Sequence, residues 1–301
     1  MTTAFPPRRT YDVPLASGRV LSLGHRCLVM AILNVTPDSF GDAVRFVSDG
    51  GVDVESAVEA ALRMEEAGAD VIDVGGESTR PGAEPATAAE ESARVVPVIR
   101  ALAARLRVPL SVDTYKAEVA RAALDAGAAI VNDISGLKYD ADLAGVAAQG
   151  RAALVLMHTR GRSGAMYEEA SYTDVIGEVT TELSQSITRA IEAGVSRDQL
   201  LVDPGIGFAK RPPHSYGVLA RLGELAAALD RPVIAGPSRK SFLRGATGDR
   251  PATERDWGTA AAVTAAVLAG AHVVRVHAVE EMVQVVRVAD EIRNAGLRAE
   301  S

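Results

Sequence analysis

The chain has 301 residues, 48% of them apolar and 24% charged, and its formal net charge is −7. These values are typical of an ordinary globular protein with enough residues for one large domain or two modest ones. An acidic total provides no basic face for the phosphates of a duplex, so general nucleic-acid binding is excluded as a function class. The single cysteine, Cys27, rules out a disulfide scaffold and favours a reducing, cytoplasmic location.

The N-terminal residues predict a short appendage before the main domain. Residues 1–12 combine two prolines and two arginines with no apolar period, which predicts a disordered lead. Residues 13–24 alternate loosely around a Ser-Gly-Arg turn, which predicts a β-hairpin. The longest stretch of small apolar residues, 260–274, is too short to span a bilayer, so no membrane attachment is expected.

From residue 28 onward the sequence repeats one pattern. A helical stretch rich in Ala, Glu and Leu ends in Ala-Gly, a short β-branched strand follows, and the strand ends in polar residues. Glycine suits the left-handed residue that ends a helix, and short apolar runs suit buried parallel strands. The Ala-Gly pairs lie at residues 67–68, 126–127, 193–194 and 269–270. The predicted strands cover residues 28–34, 70–76, 110–113, 130–133, 153–158, 200–203, 233–236 and 273–277.

Eight strands, each followed by a helix-competent segment, predict an α/β fold of the (β/α)8 TIM-barrel type over residues 28–295. A doubly wound open sheet is the alternative, and periodicity alone does not separate the two. The barrel is favoured because no strand is followed by a complete GxGxxG or Walker A loop. No linker interrupts the repeat, so residues 13–298 are expected to form one domain.

The residues that end the predicted strands are polar. All strands of a barrel point the same way, so these ends and the loops after them meet at one mouth, where barrel enzymes carry their active sites. A functional mouth is therefore a better interpretation than a series of separate loop-capping residues. The polar residues at or after strand ends include Asn34, Asp38, Thr79, Arg80, Asp113, Asn132, His158, Asp203, Ser238, Arg239, Lys240, Arg275 and His277.

The charges at the mouth separate into two sets. The cationic set is Arg80, Arg239, Lys240, Arg275 and His277. Such a group can hold an anion, and phosphate or pyrophosphate is its natural ligand. The opposing set is Asp113, Asn132 and Asp203. A carboxylate beside an amide can pair with a neutral ring that presents adjacent N–H donors, as an aminopyrimidinone does.

Two further acids and the histidines have other interpretations. Asp133 precedes a Ser-Gly pair and is interpreted as a helix cap, whereas Asp73 lies inside a predicted strand and is either a site residue or a satisfied buried polar group. The histidines have neither HxH nor HExxH spacing, so a zinc site is not expected. A Mg²⁺ ion that arrives with a pyrophosphate needs few protein ligands, and Asn34 could supply one oxygen.

Seven segments in chain order closely resemble the dihydropteroate synthases, the folate-pathway enzymes that join a pterin to p-aminobenzoate. One such motif would be a weak signal, but seven at suitable spacing are a specific one. The segments are residues 34–40 (NVTPDSF), 73–82 (DVGGESTRPG), 111–114 (SVDT), 131–136 (VNDISG), 203–210 (DPGIGFAK), 238–240 (SRK) and 275–277 (RVH).

The resemblance implies a transferase that condenses 6-hydroxymethyl-7,8-dihydropterin pyrophosphate with p-aminobenzoate, with pyrophosphate leaving before or as the amine attacks. It also implies Mg²⁺ as cofactor, a homodimer, and an enzyme class that sulfonamides target.

The site residues that the resemblance implies fall into four groups. The pterin would be held by Asp113, Asn132, Met157, Asp203, Phe208 and Lys240. The pyrophosphate would be held by Asn34, Arg275 and His277, with Asn34 as a metal ligand. The p-aminobenzoate would contact Phe40, Thr79, Pro81 and Ser238. The residues expected to act in catalysis are Asp38, Phe40, Thr79, Arg80, Pro81, Lys240, Arg275 and His277.

The sequence departs from the family pattern at two places. Residues 41–44 (GDAV) replace the usual serine and paired glycines, and Ala278 stands where an aspartate commonly follows the last motif. The altered first loop motivates one alternative, a catalytically silent pterin-binding paralogue. A pterin-dependent methyltransferase domain is the other. The intact residues 79–82 and 238–240 favour the synthase over the first alternative, and residues 275–277 favour it over the second.

Overall fold

Eight parallel strands form the centre of the structure, a computed structural model that describes residue 5 and residues 8–37, 46–48, 51–78, 84–162, 167–168 and 170–298. Nearly all of their residues are buried, as expected of parallel strands covered on both faces. The strands are β1 (Leu28–Asn34), β2 (Val71–Gly75), β3 (Leu110–Asp113), β4 (Ile130–Asp133), β5 (Ala153–Met157), β6 (Leu200–Asp203), β7 (Ile234–Ala235) and β8 (Val273–Val276). Each lies within a predicted strand.

The sheet closes on itself. Its strand order is β6-β5-β4-β3-β2-β1-β8-β7, and all neighbours run parallel. A parallel bridge between Val202 and Val233 joins the two ends, and the Val202 amide donates to the Pro232 carbonyl at 3.0 Å. Because an open sheet would leave these two edges apart, the barrel prediction is confirmed and the doubly wound alternative is wrong.

Helices connect the strands and surround them. They are α1 (Val54–Glu66), α2 (Ala88–Ala103), α3 (Ala117–Asp125), α4 (Leu143–Gln149), α5 (Val175–Glu192), α6 (Pro212–Ala220), α7 (Leu222–Leu229), α8 (Arg244–Thr247), α9 (Asp256–Leu268) and α10 (Val279–Arg298). A capping box between Thr87 and Glu90 starts α2. Within the described residues, no helix combines the length and the apolar character needed to cross a bilayer.

The predicted Ala-Gly helix ends are confirmed at α1, α3, α5 and α9. The glycines have positive φ angles, for example +104° at Gly68 and +116° at Gly127. A left-handed residue turns the chain from the helix towards the next strand, and only glycine adopts it without a steric cost. At Gly127 the packing is also tight, because a Cβ atom built there would lie 2.5 Å from the Cβ of Ala103.

An antiparallel hairpin closes the end of the barrel at which the strands begin. Its strands are Tyr11–Pro14 and Val20–Leu23, which confirms the predicted hairpin with a start two residues earlier. Val13, Leu21 and Leu23 pack in one buried cluster with residues from the starts of the barrel strands, including Leu28 and Val273. Water is therefore kept from this end, and the opposite mouth is the end left for a site.

The predicted disordered lead over residues 1–12 is wrong for residues 8–12. The Arg8 side chain is buried and pairs with Asp290 of α10 at 2.9 Å. The Tyr11 hydroxyl donates to Asp230 at 3.1 Å. Both partners lie far along the chain, so the local composition that predicted disorder carries no information about them. Residues 1–4 and 6–7 lie outside the described residues.

We expect Gly127→Ala to lower the free energy of unfolding by about 1–3 kcal/mol, because a left-handed backbone is costly for an L-residue and the new methyl group would contact Ala103. Gly145→Ala in α4 is the matched control, since no atom lies within 4 Å of a Cβ built there and alanine is the better helix former. Urea-unfolding midpoints measure the difference. Equal midpoints for the two variants would contradict the proposed strain at Gly127.

Candidate active site

The carboxyl ends of the strands bring the predicted polar residues to one mouth. Asn34, Asp113 and Asp203 are the last residues of β1, β3 and β6. Asn132 and Arg275 are each the third residue of a four-residue strand. Because the strands are parallel, these side chains lie at the same end of the barrel.

Arg275 lies at the centre of this mouth between two carboxylates. Its Nε atom donates to Asp73 Oδ2 at 2.6 Å, and its Nη2 atom donates to Asp113 Oδ2 at 2.6 Å. Asn132 Nδ2 donates to the same Asp73 oxygen at 3.0 Å. Asp73 is therefore a member of the site, which decides between the two interpretations that the sequence left open.

Lys240 and Asp203 adjoin the same space. A Cβ atom built on Gly236 would lie 3.7 Å from Lys240 Nζ, 3.8 Å from Arg275 Cβ and 3.8 Å from Asp203 Oδ2. These three side chains therefore surround one point, which is open because residue 236 is glycine. Lys240 Nζ also donates to the Ile206 carbonyl at 2.6 Å and lies 4.4 Å from the centre of the Phe208 ring.

Burial dominates the electrostatics of the mouth. It raises the pKa of Asp113 to about 7, although Arg275 opposes the rise. It also raises the pKa of Asp203, against the opposing effect of Lys240. It lowers the pKa of Lys240 to about 8, although Asp203 favours the ammonium. For Arg275 the two carboxylates outweigh burial, so its pKa is raised and it stays charged.

Ser238 supports the His277 ring. The Ser238 Oγ atom lies 2.9 Å from His277 Nδ1 and accepts a hydrogen bond from the His277 amide at 3.2 Å. The sequence suggests Ser238 as a hydrogen-bonding group beside the cations, and the resemblance implies that it contacts p-aminobenzoate, so its direct contact with His277 is an additional finding. It provides a hydrogen-bond partner beside Ala278, where the family commonly has an aspartate.

An apolar wall adjoins the charged residues. Met157, Tyr115 and Ile134 form one buried cluster, and Phe208 packs against it. The resemblance predicted Met157 and Phe208 as neighbours of a ring, and the structure brings these two together. Ile134 and Tyr115 were missed. Their signal was present, since each follows a predicted strand end by one or two residues.

Two polar residues near the strand ends have structural contacts. Asp133 accepts hydrogen bonds from Ser135 and from the Leu137 amide, so it caps the turn after β4. Its interpretation as a helix cap is wrong, because the next helix, α4, begins only at Leu143. Arg239 pairs with Asp256 at the start of α9, at 2.8 and 2.7 Å.

His158 belongs to a buried network beneath the mouth. Its Nδ1 atom lies 2.8 Å from Lys210 Nζ, and its Nε2 atom lies 3.2 Å from Glu182. Lys210 Nζ also donates to the Phe208 carbonyl at 3.1 Å. Burial lowers the pKa of His158 to about 3, so the ring is neutral. This network fixes the loop after β6, a role that the sequence did not reveal for Lys210.

Several predicted residues lie outside the described residues. They are Asp38, Phe40, Thr79, Arg80, Pro81 and the departing segment 41–44. Their predicted roles stay predictions.

The sequence matches the pattern of a known protein family. The model for pterin-binding enzymes matches residues 30–277, which is most of the chain. The chain belongs to the pterin-binding enzyme family. The matched region includes the barrel strands, apart from the first two residues of β1, and the residues of the mouth described above.

Relatives within the pterin-binding enzyme family are similar over almost the full chain. A dihydropteroate synthase of Synechocystis is 45% identical over 290 residues, which are 96% of each chain. The solved dihydropteroate synthase of Xanthomonas albilineans with 4-aminobenzoic acid has a TM-score of 0.85 and 41% identity, over 95% of this chain and 99% of that one. The Burkholderia cenocepacia enzyme complexed with 7,8-dihydropteroate has a TM-score of 0.84 and 38% identity, over 98% and 100%.

We expect the affinity for a reduced pterin to follow a bell-shaped pH profile. Asp113 accepts ring N–H groups only as a carboxylate, so affinity rises as the pH passes its pKa of about 7. Lys240 loses its charge above its pKa of about 8, so affinity falls there.

Titration calorimetry across this range measures the profile. Lys240→Arg is the control, because a guanidinium stays charged and should remove the alkaline fall while the acid limb remains. A flat profile in the parent protein would contradict the assignment of both residues.

Proposed function

We propose that this mouth condenses 6-hydroxymethyl-7,8-dihydropterin pyrophosphate with p-aminobenzoate to give 7,8-dihydropteroate and pyrophosphate. One observation carries the proposal: Arg275 contacts Asp113 and also adjoins the point that Lys240 and Asp203 surround. Carboxylates that can bind the ring and cations that can bind the departing diphosphate therefore line the same space. The chain is accordingly a transferase with dihydropteroate synthase function in folate synthesis.

The pterin ring is recognised by complementary hydrogen bonds. A pterin presents adjacent N–H donors on one edge, and Asp113 and Asp203 offer carboxylate oxygens to such donors. Asn132 and Lys240 supply the amide and ammonium that pair with the remaining ring atoms. Asp203 Oδ1 already accepts from the Gly205 amide at 2.7 Å, so this carboxylate is held in place before the ring binds. The ring faces are left to Met157 and Phe208.

The diphosphate is placed at the other side of the mouth by Arg275 and His277. The two carboxylates engage Arg275 through Nε and Nη2, so Nη1 is the guanidinium nitrogen that neither of them takes. His277, whose ring contacts Ser238, is the second donor proposed for a phosphate oxygen. The negative charge that develops on the leaving group is thereby stabilised by fixed donors.

The residues near Asn34 fit a Mg²⁺ ion. Asn34 Oδ1 and Asp113 Oδ2 each lie 3.7 Å from a Cβ position built on Gly75, so side-chain oxygens of two neighbouring strand ends lie close to Gly75. Mg²⁺ takes oxygen ligands and is commonly held by one or two protein groups plus substrate phosphates. We propose Asn34 as its protein ligand. When bound, the ion would add positive charge against the leaving diphosphate.

The reaction proceeds by an SN1-like route in this proposal. The bond from the exocyclic carbon to the diphosphate oxygen breaks, and the electron pair leaves with the pyrophosphate. The carbon becomes cationic, and the buried carboxylates of Asp113 and Asp203 stabilise the positive ring system. The amine nitrogen of p-aminobenzoate then forms the new C–N bond and loses a proton to the released pyrophosphate. Because this amine is neutral at pH 7, the protein mainly positions it and excludes water.

We propose that p-aminobenzoate binds beside Ser238, which precedes Lys240 by two residues and contacts His277. The loops that carry Asp38, Phe40, Thr79, Arg80 and Pro81 would complete this subsite, and that assignment stays a prediction. The homodimer also stays a prediction, which analytical ultracentrifugation tests. We place the reaction in the cytoplasm, because a substrate with a charged diphosphate does not cross a membrane unaided.

We expect the purified protein to release pyrophosphate when it is given Mg²⁺, the pterin pyrophosphate and p-aminobenzoate. A coupled pyrophosphate assay measures the rate, and omission of p-aminobenzoate is the control. Absence of turnover together with retained pterin binding would support the silent paralogue. A sulfonamide that mimics p-aminobenzoate should compete with it in the same assay.

We expect Asp203→Asn to weaken pterin affinity by about 10- to 100-fold. A buried amide would present a donor where the ring also donates, which leaves two donors unpaired. Asp198→Asn is the matched control, since this aspartate is exposed in the turn just before β6 begins. Titration with the free pterin measures both variants, and unchanged affinity in Asp203→Asn would remove this residue from the site.

A further inference from the structure

We propose that Asp73 is a positioning residue that fixes the ring-binding amide of Asn132 and the diphosphate-binding guanidinium of Arg275 relative to each other. This inference rests on the proposed function, because it concerns the same two substrate halves. Asp73 itself need not touch the substrate. It acts through the two side chains that do.

The place of Asp73 in the barrel suits such a role. It is the third residue of β2 and is completely buried. Its strand pairs with β1 and β3, whereas its two partners lie on β4 and β8. Alternate strands of a TIM barrel contribute side chains to the same interior layer. The contacts of Asp73 therefore cross the inside of the barrel rather than follow the sheet.

A single oxygen atom makes both contacts. Asp73 Oδ2 accepts from Asn132 Nδ2 at 3.0 Å and from Arg275 Nε at 2.6 Å. The Asn132 amide cannot reverse without losing this bond, so its Oδ1 atom is fixed as the acceptor offered to a ring. Because Asp73 holds Arg275 through Nε, the two Nη nitrogens are left for Asp113 and for the diphosphate. The Asp73 carboxylate thus determines the orientation of both the Asn132 amide and the Arg275 guanidinium.

Asp73 also separates the roles of the two carboxylates around Arg275. Asp113 must turn its oxygens towards ring donors when a pterin binds, so it cannot be the permanent partner of the guanidinium. Asp73 has no access to the substrate and continues to balance the charge of Arg275. Without Asp73, Arg275 would rely on Asp113 alone and would compete with the pterin for it.

The test is Asp73→Asn, which retains the size of the side chain and removes its charge. We expect affinity for free 6-hydroxymethyl-7,8-dihydropterin and for inorganic pyrophosphate with Mg²⁺ each to fall by at least 10-fold in calorimetric titrations. We expect kcat to fall and KM for p-aminobenzoate to stay within twofold. Unchanged pterin and pyrophosphate affinity in a folded variant would overturn the proposal. An equal loss for p-aminobenzoate would also overturn it, because it would indicate a general structural role.

Ser111→Ala is the matched control. Ser111 lies opposite Asp73 in the register of β2 and β3 and is equally buried. Its hydroxyl makes no hydrogen bond within the part of the chain that the structure describes. This variant removes a buried polar group on the strand next to Asp73 and breaks no hydrogen bond to Asn132 or Arg275. Both affinities should stay within twofold of the parent.

A measurement on the unmodified protein covers the case in which Asp73→Asn does not fold. The Arg275 Nε–H signal in a ¹⁵N spectrum, assigned by its loss in Arg275→Lys, should exchange slowly with water and keep its shift when pyrophosphate is added. Rapid exchange or a large shift would show that Nε is not held by Asp73 and would overturn the proposal. If the parent protein binds neither pterin nor pyrophosphate, the proposed function fails instead.

Discussion

The partly buried guanidinium of Arg275, bound to two carboxylates, is the interaction on which the rest of the site depends. Withdrawing charges from water is expensive, and their mutual attraction often does not exceed that cost. The arrangement is therefore better explained by function than by stability. It keeps a cation in a fixed orientation at the mouth, where an anion has to leave, and it places Asp113 and Asp73 on either side of that cation.

The two ends of the barrel differ in polarity, because apolar side chains close one end and the charged residues lie at the other. The N-terminal hairpin and the apolar starts of the strands fill one end and keep water out. Fixed charges in surroundings that contain little water interact more strongly than they would in bulk water. The pKa of Asp113 at about 7 and of Lys240 at about 8 are the consequence of that environment. The same burial shields the cationic reaction intermediate from water, which would hydrolyse it.

Much of the site was predictable from strand ends and family motifs. Asp113, Asn132, Asp203, Lys240 and Arg275 were all expected at one mouth, and the structure places them there. The contacts among them were not predictable, since a motif records which residues occur and not which atoms meet. Only the tertiary structure shows that Ser238 contacts the His277 ring. It also shows that one Asp73 oxygen accepts hydrogen bonds from two partners.

The sequence by itself determined the order of strands and helices and the glycines that end the helices, because both depend on local patterns. It also determined that the polar residues at the strand ends share one end of the barrel, because parallel strands all point the same way. Only the tertiary structure decided that the sheet closes, through Val202 and Val233, and that Arg8 is anchored on Asp290. It also decided that Asp73 belongs to the site. These contacts join residues distant along the chain, and their geometry follows from packing, which local pattern does not encode.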